Sequence, residues 1–69
     1  MPNHVRLLAL DIDGTLLDSR GRLPEAHRDA VAEAVGAGIA VVLATGRALH
    51  FTRPVASALA VPVALMVNN

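Results

Sequence analysis

The chain has 69 residues, with six Arg, no Lys and six acidic side chains for a formal charge of zero, no Cys, and a single aromatic, Phe51. A chain of this size supports one small core at most, and the absence of Cys removes disulfides, zinc ribbons and redox pairs as ways to reinforce it. Balanced charge and one aromatic give neither a basic footprint nor a stacking platform, so nucleic acid is not an expected partner.

The N-terminal stretch "MPNHVRLLAL" carries Arg6 inside an apolar run too short for a signal peptide or a membrane span. No membrane partner is expected, and a cytoplasmic location is the default. Val5 to Leu10 is predicted to be a short buried strand, given its length and the Asp and Gly that follow. It runs directly into Asp11 and Asp13, then Gly14 and Thr15. Residues 14–22, "GTLLDSRGR", are predicted to form a tight loop or small hairpin.

The stretch "LPEAHRDAVAEAVGAG" is predicted to be a helix. Pro24 and Glu25 suit its first turn, His27, Ala30, Val31, Ala34 and Val35 can share one face, and Gly36 or Gly38 can end it. His27 is expected on the flank of that helix rather than as a ligand. Ile39 to Ala44, "IAVVLA", is uninterrupted branched apolar sequence and is predicted to be a strand covered on both faces. Thr45-Gly46-Arg47 ends it. A second helix is predicted over "ALHFTRPVASALA", bent or interrupted near Pro54, and "VPVALMV" is predicted to be a third strand closing on Asn68-Asn69.

The order β-loop-α-β-α-β predicts an α/β fold: a parallel sheet with right-handed crossovers, forming part of a doubly wound, Rossmann-like sheet. Ligands of such sheets bind beyond the carboxyl ends of the strands. Each polar signal lies at such an end: Asp11 and Asp13 after the first strand, Thr45 to Arg47 after the second, Asn68 after the third.

Two carboxylates two residues apart in extended backbone point to the same side and repel unless a cation sits beside them. Magnesium suits them, since it takes one or two carboxylates together with waters and phosphate oxygens. In that setting Asp11 is a candidate nucleophile toward phosphorus, and Asp13 a candidate acid that protonates the leaving oxygen and later activates water. Thr45 offers a hydroxyl and Gly46 a backbone amide to phosphate oxygens. Arg47 either steers an anionic substrate or pairs with Asp13 or Asp18. Arg6, Arg20, Arg22 and Arg53 are expected at the surface, and His50 and Phe51 are expected to pack on or beside the second helix. Other sites fail on spacing. An EF-hand loop starting at Asp11 would put Thr15 and Leu16 at its fifth and sixth positions, "GAGIAV" precedes a strand where a dinucleotide fingerprint should follow one, and a Walker loop needs Lys.

"DIDGTLLD" resembles motif I of the haloacid dehalogenase-like (HAD) superfamily, and "VVLATGR" resembles its motif II in the form found in Cof-like, type IIB phosphatases. The resemblance covers nearly the whole chain. It implies a magnesium-dependent phosphohydrolase that cleaves phosphate monoesters of small metabolites through an aspartyl-phosphate on Asp11. Asp13 would serve as acid/base and Thr45 as phosphate binder. The metal would be held by the Asp11 carboxylate and by the backbone carbonyl of Asp13, and Arg47 and Asn68 are candidate substrate-binding residues.

The chain departs from the family pattern in having Asn68-Asn69 where relatives commonly have Asn-Gly. It also contains no Lys for the third motif and no acidic residue after Glu33 for the fourth. Turnover by these 69 residues alone is therefore expected to be feeble. Residues 14–23 are too few to hold a cap domain, and in type IIB relatives the cap follows the third strand. Residues 1–69 are accordingly expected to be the N-terminal part of a HAD-like core domain. The alternative reading is a non-catalytic fragment or interaction half. In the family the first strand is central, so here it is expected to be a bare apolar edge that invites a complementary chain or self-association.

Overall fold

The computed structural model describes residues 6–67. Three short apolar runs form parallel strands, and the two intervening stretches coil into helices: β1 (Leu7–Leu10), α1 (Glu25–Gly36), β2 (Ala40–Ala44), α2 (Leu49–Leu59) and β3 (Ala64–Met66). The sheet order is β1-β2-β3. Leu8 lies opposite Val41 and Leu10 opposite Leu43, while Leu43 lies opposite Leu65 on its other side. This is the expected α/β topology. Val5, predicted to open the first strand, lies outside the described residues, as does Asn68.

Two successive right-handed crossovers that step in one direction place both helices on one face of the sheet. Val41 and Leu43 point into that face and are buried, whereas Ala40 on the other face is exposed and Val42 only half-buried. The expectation of a β2 covered on both sides is thus corrected. An uninterrupted apolar run was the signal for two-sided cover, but the described elements cover one side only. β1 is likewise less buried than a buried strand should be, with alternating exposure and Leu7 61% exposed, while among the described residues it lies at the edge of the sheet, as expected.

The core under the helices joins Val31 of α1, Val41 and Leu43 of β2 and Leu59 of α2 to three residues that follow β1: Ile12, Leu16 and Leu17. Helix α1 ends in a Schellman motif. The Gly38 N–H donates to the Val35 carbonyl and the Ile39 N–H to the Ala34 carbonyl, both at 3.0 Å, with Gly38 at φ +85°. Of the two glycines proposed to stop the helix, Gly38 makes the turn and Gly36 remains helical.

Helix α2 runs through Pro54, so of the bend or interruption expected there, the interruption does not occur. Pro54 has no N–H for the carbonyl of His50, and both residues are exposed, so water can satisfy that carbonyl. The buried Thr52 donates its hydroxyl to the Ala48 carbonyl at 3.1 Å. No helix of the described residues is long and apolar enough to cross a membrane.

Candidate functional site

The alternation of extended backbone carries past the end of β1. Ile12 is fully buried, while its neighbours Asp11 and Asp13 are both exposed. One apolar side chain therefore anchors the segment from below, and the two carboxylates emerge above it. Gly14, at φ +76°, turns the chain back. The Leu16 N–H then donates to the Asp11 carbonyl at 3.2 Å and the Leu17 N–H to the Ile12 carbonyl at 2.9 Å. Leu16 and Leu17 drop into the core beside Ile12. Sequence reasoning placed this leucine pair in a loop and did not see that it is core. The available signal was two adjacent leucines within a turn-rich stretch, which carries no periodicity to read.

The loop beyond is closed by Asp18. Its carboxylate accepts the N–H groups of Arg22 and Arg20, both at 2.9 Å. These bonds, that from Arg22 foremost, hold the Asp18 carboxyl below its ordinary pKa. The ring of His27 sits on the helix flank as expected and donates its Nδ1–H to the Leu16 carbonyl at 2.9 Å. It ties α1 to the returning segment.

Asp11 accepts the Ile12 N–H on Oδ1 at 2.9 Å. It lines an open cavity of about 400 Å³ together with Ala44, Thr45, Gly46 and Met66, at the carboxyl ends of all three strands. Thr45 is fixed there by its own N–H, which donates to the Met66 carbonyl at 3.0 Å. Its Oγ1 accepts the Arg47 N–H at 3.1 Å, which leaves the hydroxyl proton free to point elsewhere.

Asp13 faces a different neighbour. Arg47 grips it with two bonds, Nε to Oδ2 at 3.0 Å and Nη2 to Oδ1 at 3.3 Å. The guanidinium also lies over the Phe51 ring, 4.2 Å from its centroid. Of the two roles weighed for Arg47 from sequence, the geometry displays pairing, and with Asp13 rather than Asp18. Both side chains are about half exposed, so the pair adds on the order of 0–1 kcal/mol to stability. Its effect is on orientation. Arg6, Arg20, Arg22 and Arg53 are exposed, as expected.

Among the described residues no group of three or more His, Asp or Glu side chains gathers to cage a metal. The free carboxylate donor at the strand ends is Asp11, which retains Oδ2 without a hydrogen-bond partner among the described residues, while both Asp13 oxygens are engaged by Arg47. Such a donor suits a magnesium ion that draws the rest of its shell from water and phosphate oxygens.

Residues 8–69 match the family model of haloacid dehalogenase-like hydrolases. The chain belongs to this family. Within it, the chain is 37% identical over 65 residues to the 5-amino-6-(5-phospho-D-ribitylamino)uracil phosphatase YcsE of Bacillus subtilis, a match that covers 94% of the chain and 26% of that protein. It is 36% identical over 64 residues to the stress response protein YhaX of the same organism, covering 93% of the chain and 22% of that protein. Over 47 residues it is 45% identical to the B. subtilis phosphatase YwpJ, covering 68% of the chain and 16% of that protein. The HAD-like chain thus spans about a quarter or less of the length of these relatives. No solved structure matches it at the same stringency.

Proposed function

We propose that this HAD-like chain carries the nucleophile and phosphoryl-binding elements of a magnesium-dependent phosphohydrolase that acts on a small phosphorylated metabolite. The observation that supports this most directly is the shared cavity: Asp11 from the end of β1 and Thr45 and Gly46 from the end of β2 line one opening. An Asp11 oxygen attacks phosphorus, the ester P–O bond breaks, and Asp13 gives its proton to the departing oxygen. Water then attacks the aspartyl-phosphate, Asp13 takes the water's proton, and cleavage of the bond to Asp11 releases inorganic phosphate. Thr45 and Gly46 donate hydrogen bonds to the phosphoryl oxygens throughout. Asp11 and Asp13 would hold magnesium, whose positive charge offsets that of the phosphoryl group and the paired carboxylates.

Arg47 occupies both oxygens of Asp13, so proton donation requires this pair to open. The chain contributes no Lys and no second acidic cluster, groups that would neutralise charge in the transition state. That lack, with an outer edge of β1 that no strand among the described residues pairs, supports a second reading, in which the 69 residues by themselves are a non-catalytic half that works only with a complementary partner.

Acid-quenched mass spectrometry after incubation with a phosphate ester and magnesium tests the chemistry. A phosphoryl adduct on the peptide containing Asp11 is expected, lost in Asp11→Asn and lost when a chelator removes the metal. Undiminished ester hydrolysis by Asp11→Asn would rule out the nucleophile assignment. An adduct that forms while turnover stays negligible favours the non-catalytic half.

A further inference from the structure

We infer that the Asp13-Gly14 peptide is a self-modification site, at which the ageing chain converts Asp13 to isoaspartate, and that Arg47 restrains the conversion. The step is an intramolecular acyl transfer. The Asp13 carboxylate takes a proton from solvent, the Gly14 backbone nitrogen attacks its Cγ, and a C–N bond forms as the nitrogen's proton and the carboxyl hydroxyl depart together as water. A cyclic imide results. Water then opens the ring at either carbonyl: attack at Cγ restores aspartate, whereas attack at the main-chain carbonyl of Asp13 leaves isoaspartate, whose backbone runs through the former side chain.

The chain has four aspartates, and only Asp13 is followed by glycine. Gly14 is exposed, and a Cβ there would meet nothing within 4 Å, so the attacking nitrogen is uncrowded. The Asp13 side chain is about half exposed and borders an opening separate from that of Asp11, which gives water access. The other three aspartates are blocked. The peptide after Asp11 belongs to Ile12, a branched residue fully buried in the core, so its plane cannot rotate for ring closure. Asp18 commits its carboxylate to the N–H groups of Arg20 and Arg22. Asp29 lies within α1, where the Ala30 N–H belongs to the helical ladder.

Arg47 opposes the reaction at Asp13. It grips both carboxylate oxygens, at 3.0 and 3.3 Å, and is itself braced over the Phe51 ring. Both charge-assisted bonds must be released before Cγ can swing back onto its own backbone and before either oxygen can leave as water. The chemistry is independent of the phosphatase reading. Its product nevertheless falls on the proposed acid, because isoaspartate adds a methylene to the main chain and removes one from the side chain, which withdraws the carboxyl from its place.

The test incubates the purified chain at neutral pH and body temperature and follows its peptides by electron-transfer mass spectrometry, which distinguishes isoaspartate from aspartate and reads the imide as the loss of one water. Isoaspartate is expected at Asp13 ahead of Asp11, Asp18 and Asp29. Arg47→Gln should speed conversion at Asp13 by about fivefold, the most that an exposed ion pair holds back. Arg47→Lys, which keeps one charge-assisted bond, should fall between. In urea above the unfolding midpoint, the wild-type and Arg47→Gln chains should convert at one rate, because the pair is then gone. Asp13→Glu, whose longer side chain closes the ring far more slowly, should show no product at that position. Conversion at another aspartate ahead of Asp13, or product at the peptide of Asp13→Glu, would overturn the site. Equal rates for the folded wild type and Arg47→Gln, or a difference that persists in urea, would overturn the restraint by Arg47.

Discussion

Ile12 is the residue on which the placement of the paired carboxylates depends. It is fully buried between two exposed aspartates, so one side chain sets the height and direction of both. Truncation in Ile12→Ala should cost about 2–5 kcal/mol, the range for large-to-small core changes, read as a lower urea midpoint. Asp18 is the residue whose protonation matters to local order. Its carboxyl titrates below its ordinary value because it accepts the N–H groups of Arg22 and Arg20. A lowered folded-state pKa contributes stability that is present above the unfolded value, near pH 4, and lost as pH falls through the folded value. NMR titration should therefore show the Arg20 and Arg22 amide signals moving together, with a midpoint below that of a solvated aspartate. A midpoint at or above the ordinary value would contradict the turn geometry.

At the scale of elements, the exit from α1 decides how β2 enters the sheet. Gly38 holds φ +85° while its N–H and that of Ile39 cap the last turn, and Ile39 leads directly into β2. A Cβ at this position would meet no neighbouring atom within 4 Å, so the cost of Gly38→Ala is conformational, about 1–2 kcal/mol. The variant should unfold at a correspondingly lower urea concentration, and an unchanged midpoint would show that the left-handed turn is not needed. Helix α2 contrasts with this. Pro54 predicts a bend or a break, and the helix stays unbroken because the turn that lacks its hydrogen bond faces solvent while Thr52 and Leu59 are held in the interior.

For the whole molecule, the consequence of one-sided cover is an apolar sheet face with Leu7 61% and Met66 65% exposed. Among the described residues no strand pairs with the outer edge of β1. An open edge beside an apolar face is a template for association. Sedimentation over a range of concentrations should show mass-dependent association of the chain, reduced by the double change Leu7→Lys and Met66→Glu. A monomer at all concentrations would refute it.

Local signals were sufficient for the order of elements, the parallel topology and the placement of Asp11, Thr45 and Gly46 at the strand ends. Branched apolar runs, an Asp-x-Asp alternation and Gly or Pro punctuation act through steric preferences between near neighbours. Nothing local distinguishes an apolar residue that meets a helix from one that meets water, so the bare face of β2 was misread as covered. The burial of Leu16 and Leu17, the choice of Asp13 over Asp18 by Arg47, and the separation of the two carboxylates into different cavities likewise needed the tertiary structure. Each depends on distances between residues far apart in the chain, and those are set only when the core closes.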